Sequence, residues 1–215
     1  MRKINCVRES MLRCFFVLIA MLSLTVVDAD DFPEPFGLMW GMSEEDLKKL
    51  GFTKIEELGL TGNEVGYGFE IGYGFNVFAS KLPPEPWSKG DNYYAITYKN
   101  QLVKVTAVST IITDDINGNK IKEMYSEIKQ LLTKKYGTPS SFEMDWCDEV
   151  DEFYTTAGCG SYFSVFMFSG VRIGITIMPM RRGTGYLLIE YESPEFDTAR
   201  RQSEKKTKES DAKAL

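Results

Sequence analysis

Hydrophobic and polar residues alternate along this chain in two periods, and the switches between them mark out its elements. From about Asn119 to Tyr136, Ile121, Met124, Tyr125, Ile128, Leu131, Leu132 and Tyr136 recur at helical spacing, while Lys122, Glu123, Glu127, Lys129 and Lys134 take the other side. That spacing predicts an amphipathic helix lying on something apolar and stopped by Gly137 and Pro139. A shorter helix is predicted in "FGLMWGMSEEDLKKLGF". Ser43 is its N-cap, Asp46 stands at the capping-box position, and Met42 with Leu47 forms the hydrophobic staple. Lys48 and Lys49 suit the negative end of the helix dipole, Gly51 ends the helix, and Trp40 just before it reads as a plug for the core.

Elsewhere the period is two. "NYYAITYKNQLVKVTAVSTIIT" reads as strand, turn at Lys99-Asn100-Gln101, and strand, and "SYFSVFMF", "GVRIGITIMPM" and "GYLLIEYE" continue as strands with short turns between them. Such short connections require antiparallel pairing. In "GYGFEIGYGF", residues 66 to 75, Tyr67, Phe69, Ile71, Tyr73, Phe75 and Val77 share one parity and glycines dominate the other. Ile71 stands where a dinucleotide loop needs its third glycine, so the run is expected to be a strand with a bend or hairpin near Gly72. The expected fold is α+β: antiparallel sheet with two main helices on one face. The helix ends "DLKKLGFT" and "LTKKYGTP" echo each other, which suggests two tandem helix-plus-sheet halves, 36–112 and 113–196, with the proline-rich "SKLPPEPWSKGDN" as a possible seam.

The ends of the chain differ from its body. Arg2, Lys3, Arg8 and Arg13 precede an apolar run from Cys14 to Val27 that is short for a membrane span, and Val27-Asp28-Ala29 offers small residues at a cleavage site. Residues 1–29 therefore read as a signal peptide cleaved after Ala29, starting at Met1 or Met11, which places the mature chain in the periplasm or outside the cell with no membrane span. At the other end, "DTARRQSEKKTKESDAKAL" is nearly devoid of apolar residues, and 197–215 is expected to be a disordered polar tail following a domain over 30–196.

Charge narrows the partners. The whole chain is at -6, and losing four basic and two acidic residues with the signal takes it to -8. A body this acidic repels phosphate backbones, which argues against nucleic acid. "TDDINGNKIKE" has the look of a calcium loop, but Thr113 and Met124 would occupy its first and last ligand positions, so it reads as an Asp/Asn/Gly turn capping the second helix.

Of the four cysteines, Cys147 and Cys159 survive signal cleavage, and in an exported chain they most simply form one disulfide, worth on the order of 3 kcal/mol. The chain has no histidine. That removes Ser-His-Asp and Cys-His nucleophilic machinery and a histidine base, and it leaves no soft-ligand metal set. No nucleophile elbow, phosphate loop or cofactor motif is present, so neither catalysis nor a cofactor is expected.

The segments "FGLMWGMSEEDLKKLG", "YKNQLVKV", "LLTKKYGTP" and "YLLIEYESPEF" resemble those of small exported bacterial proteins of unknown function, which share a G-[LI]-x-W-G-x-S helix start and a K-K-Y-G-x-P helix end. Their helix-plus-antiparallel-sheet plan is similar to β-lactamase inhibitor proteins and to the small lipoprotein of the outer-membrane β-barrel assembly machinery. The resemblance implies action by binding another protein. This chain departs from the lipoprotein in lacking a lipobox, and from the inhibitors in having one mature cysteine pair rather than one in each half.

The expected function is thus a non-catalytic exported binding module whose partner is another envelope or secreted protein. The contact element read from the sequence is "MDWCDEVDEFYTTAGC", where Trp146, Phe153 and Tyr154 lie among Asp148, Glu149 and other acids around Cys147 and Cys159. Two alternatives are a carrier of a small ligand or lipid, with aromatic strand faces lining its cleft, and a hydrolase working through paired carboxylates.

Overall fold

A computed structural model describes residues 32–58, 72–115, 117–144, 161–181 and 183–214. The first helix, α1 (Glu44–Lys49), begins as its sequence requires: the Ser43 side chain accepts the Asp46 N–H, and three acids fill the first turn. Gly51 follows at φ 85°, and the chain runs into strand β1 (Thr53–Lys54) and a 3₁₀ turn over Ile55–Leu58. The next strands are β2 (Phe75–Ser80), β3 (Gly90–Tyr98) and β4 (Gln101–Ser109). Lys99 and Asn100 link β3 to β4, both at positive φ, as a two-residue hairpin with right-handed strand twist demands. Asn100 is doubly used, because its Oδ1 also accepts the Glu44 N–H at 3.1 Å.

A short β5 (Ile112–Thr113) leads to α2 (Asn119–Tyr136), whose bounds are those the hydrophobic period predicts. The Asp/Asn/Gly turn before it is a cap. Asp114 Oδ2 accepts the Ile121 N–H at 2.9 Å, Asp115 Oδ1 accepts the N–H groups of Asn117 and Asn119, and Gly118 takes the left-handed conformation. The Asn119 side chain's hydrogen bond holds the Asp115 carboxyl below its ordinary pKa. Gly137 at φ 88° ends α2, and β6 (Ser140–Met144), β7 (Ser161–Phe168), β8 (Val171–Arg181) and β9 (Thr184–Glu192) follow.

Among the described residues nine strands join one antiparallel sheet in the order β1-β2-β3-β4-β9-β8-β7-β6, with β5 paired to β9. The order is mirrored. Each half is a helix, a glycine stop and four strands, and the last strands of the two halves meet at the β4–β9 seam, where Val105 opposes Tyr191 and Ala107 opposes Ile189. The proline-rich segment does not lie between the halves; it links β2 to β3 inside the first.

Both helices cover one face. Under α2, Ile121, Tyr125, Ile128, Leu132 and Tyr136 pack on Phe166, Ile173, Ile175, Leu187, Ile189 and Tyr191, whereas Leu131, at the flank of the predicted apolar stripe, is 63% exposed. Leu47 and Phe52 pack with Phe78, Tyr93, Leu102 and Val105 in the first half. Phe36, Trp40 and Trp87 touch both clusters and so bridge the seam, with the Phe36 ring edge-on to Tyr93 and Tyr191 at 5.0 and 5.7 Å. Trp40 is thus the core plug expected. Gly37 beside it sits at φ 75°, where an added Cβ would meet Pro84 Cβ at 2.9 Å, so this bridge excludes any larger residue.

One expectation changes. Residues expected to form a polar tail instead make α3 (Phe196–Ala214), because Phe196 and Ala199 find apolar cover on the opposite sheet face from Phe75, Tyr98 and Val103. Gln202 accepts hydrogen bonds from Tyr98 and Lys99, and Lys206 lies over the Tyr73 ring. Those few contacts recur every three or four residues, too sparse a stripe to read in a polar sequence. In the glycine-rich run, residues 66–71 lie outside those described, Tyr73 and Gly74 form a turn, and strand pairing starts only at Phe75. Among the described residues no helix is long and apolar enough to cross a membrane.

Candidate binding face

The sheet face opposite α2 is open over β6, β7 and β8. Because side chains alternate, the β7 residues that do not face α2 are Phe163, Val165 and Met167, and their register partners are Phe142 on β6 and Thr176, Gly174 and Arg172 on β8. Phe142, Phe163, Met167 and Met180 are 40%, 40%, 65% and 54% exposed. The Phe142 and Phe163 rings stack at 5.4 Å and 21°. Phe142, Phe163 and Met167 share this face through their register, and a contiguous exposed apolar patch is a candidate interaction surface.

Charged side chains border this patch toward the seam. Lys104 Nζ lies 2.5 Å from Glu190 Oε1 and 3.1 Å from Glu192 Oε1, and Arg172 reaches the other Glu192 oxygen at 3.0 Å. The Lys104 side chain is only 13% exposed, and its ammonium also faces the Phe196 ring at 5.2 Å. Two cations match two carboxylates, so the strip is neutral and anchors the start of α3 beside the sheet. Each of the two glutamates is engaged by a cation.

Beneath the patch a polar network ties its outermost strand to α2. Tyr125 Oη donates to Glu143 Oε1 at 3.2 Å and lies 2.5 Å from Ser164 Oγ, while Ser141 Oγ is 2.8 Å from the same Ser164 oxygen. A phenol has one proton, so Ser164 donates to Tyr125 and Ser141 donates to Ser164. Lys129 closes the network on Glu143 at 2.5 Å. Burial pushes the Tyr125 phenol well above its ordinary pKa, so it remains a neutral donor.

The residues singled out in the sequence, Trp146, Cys147, Asp148, Glu149, Phe153, Tyr154 and Cys159, all lie outside the described residues; the described chain resumes at β7. Sequence reasoning missed Phe142, Phe163, Met167 and Met180. A signal for Phe163 and Met167 exists in "SYFSVFMF", where both parities are apolar although only one can face a helix. Among the described residues no group of three Asp, Glu, Cys or His side chains converges as a metal site. Comparison with family models, with curated proteins and with solved structures gives no match to this chain.

Proposed function

We propose that this chain is an exported, non-catalytic binding module that contacts another envelope or secreted protein through the open face of β6, β7 and β8. The observation that carries the reading is the exposure of Phe142, Phe163 and Met167 on one side of a sheet whose other side is covered by α2. Such a surface supplies apolar contact area on a rigid support, with Arg172 and the Lys104 strip at its margin for orientation. The mirrored helix-plus-four-strand halves support the likeness to tandem-half inhibitor proteins, and the leader at residues 1–29 supports the exported setting in which Cys147 and Cys159 pair.

A photo-crosslinking side chain at Met167 tests this in host cells. Adducts to one envelope protein, lost when Phe163 is changed to Asp, support the module. A purified chain that retains a small molecule in native mass spectrometry, with no protein adduct at Met167, overturns it in favour of a carrier.

A further inference from the structure

The sheet ends on β6, whose far edge has no partner among the described residues, and Ser140, Ser141, Phe142 and Glu143 are all exposed. Exposed edges are normally blunted by proline, lysine or a bulge. This one has none of these between Ser140 and Met144, its one charged residue, Glu143, is engaged by Lys129 and Tyr125, and Ser141 is tied to Ser164 of β7.

We propose that β6 is a self-association edge, pairing antiparallel with β6 of a second copy about a twofold axis through Phe142. The register follows from the side chains. With Phe142 opposite Phe142 of the second copy, the stacked Phe142–Phe163 pair becomes a ladder of four rings on the open face, and each Glu143 faces a serine, Ser141, on the helix-covered face. Sliding the copies by two residues one way sets Glu143 against Glu143; the other way sets Phe142 against Ser140. A slip of one residue turns the second sheet over and opposes Phe142 to a polar neighbour. One register alone matches aromatic to aromatic and avoids opposing like charges, which is the self-complementarity an isologous contact needs. Five residues of edge bury less than a permanent dimer requires, so the association is concentration-dependent.

Sedimentation velocity over a concentration series, using the full purified chain, reads the association directly. The weight-average sedimentation coefficient rises with concentration, and Phe142→Asp holds it at the monomer value with unchanged far-UV circular dichroism. Under oxidising conditions Phe142→Cys gives a covalent dimer with a 142–142 linked peptide, because directly opposed Cβ atoms stand about 5 Å apart, whereas Ser140→Cys does not. Met167→Asp, which removes the proposed partner contact, leaves this association intact. A coefficient independent of concentration, an association that survives Phe142→Asp, or a Phe142→Cys chain that forms no 142–142 link overturns the proposal, whatever the fate of the partner contact at Met167.

Discussion

Ser164 Oγ lies 2.5 Å from Tyr125 Oη and 2.8 Å from Ser141 Oγ, so one buried hydroxyl joins a helix to two strands at the margin of the sheet. Removing the phenol in Tyr125→Phe leaves Ser164 its bond to Ser141 but strips Glu143 of a donor. The expected cost is about 1 kcal/mol, read as a lower urea midpoint at unchanged slope.

Alkaline pH acts on the same core. Burial raises the pKa of Tyr93, Tyr125 and Tyr191 above the ordinary value of 10.0, Tyr191 being further raised by the Tyr136 phenol it hydrogen-bonds. A raised folded-state pKa means that the unfolded chain loses its protons first. Stability from these groups is therefore intact below about pH 10 and falls as pH rises beyond it. Urea midpoints measured from pH 8 to pH 11 will drop over the last unit, and Tyr191→Phe will drop less steeply than wild type.

The two sheet faces predict opposite responses to truncation. Ile175 is fully buried under α2, so Ile175→Ala costs about 2–5 kcal/mol. Met167 is largely exposed, and Met167→Ala changes stability by about 0.5 kcal/mol or less while weakening the proposed partner contact. Thermal unfolding of the two variants separates the core from the binding face.

Gly51 and Gly137 hold φ of 85° and 88°, with open space where a Cβ would stand. Alanine at either site therefore costs backbone strain without a clash, about 1–3 kcal/mol in chemical denaturation.

Helix α3 is held by few side chains, and Gly72 lies so close to Ser203 that an added Cβ would overlap it. Both Phe196→Ala and Gly72→Val should release the helix, so trypsin will cut at Arg200, Arg201 and Lys205 several times faster in either variant, with the sheet's circular dichroism retained.

Much of this architecture was legible because local signals and tertiary packing agree. The α2 stripe, the Ser43 cap, the Lys99–Asn100 turn and the Gly51 and Gly137 stops are each set within a few residues of chain. Leu131 was misread because a helical stripe has a margin, and only the sheet's width decides which margin residue is covered. The third helix was illegible because Ala199 and Ser203 are too small and too few to make an apolar stripe and gain burial from Phe75, Tyr98, Val103 and Gly72, far away in sequence. Phe142 and Phe163 evaded notice for a related reason. The β7 strand of Phe163 is apolar on both parities, and the β6 strand of Phe142 sets one aromatic among serines and Glu143, so the side left open is known only once the helix is placed.

The mirrored strand order also bears on how the chain reaches its native state. Within each half, every strand after the first pairs with its sequence neighbour across a turn or loop, so both meanders form largely from local contacts. The β4–β9 pairing joins segments far apart in the chain, from Lys104 with Glu192 to Val108 with Leu188. Its closure entropy falls on a single late step, which makes docking of two preformed meanders, with Phe36 and Trp40 sealing the joint, the slow event in folding.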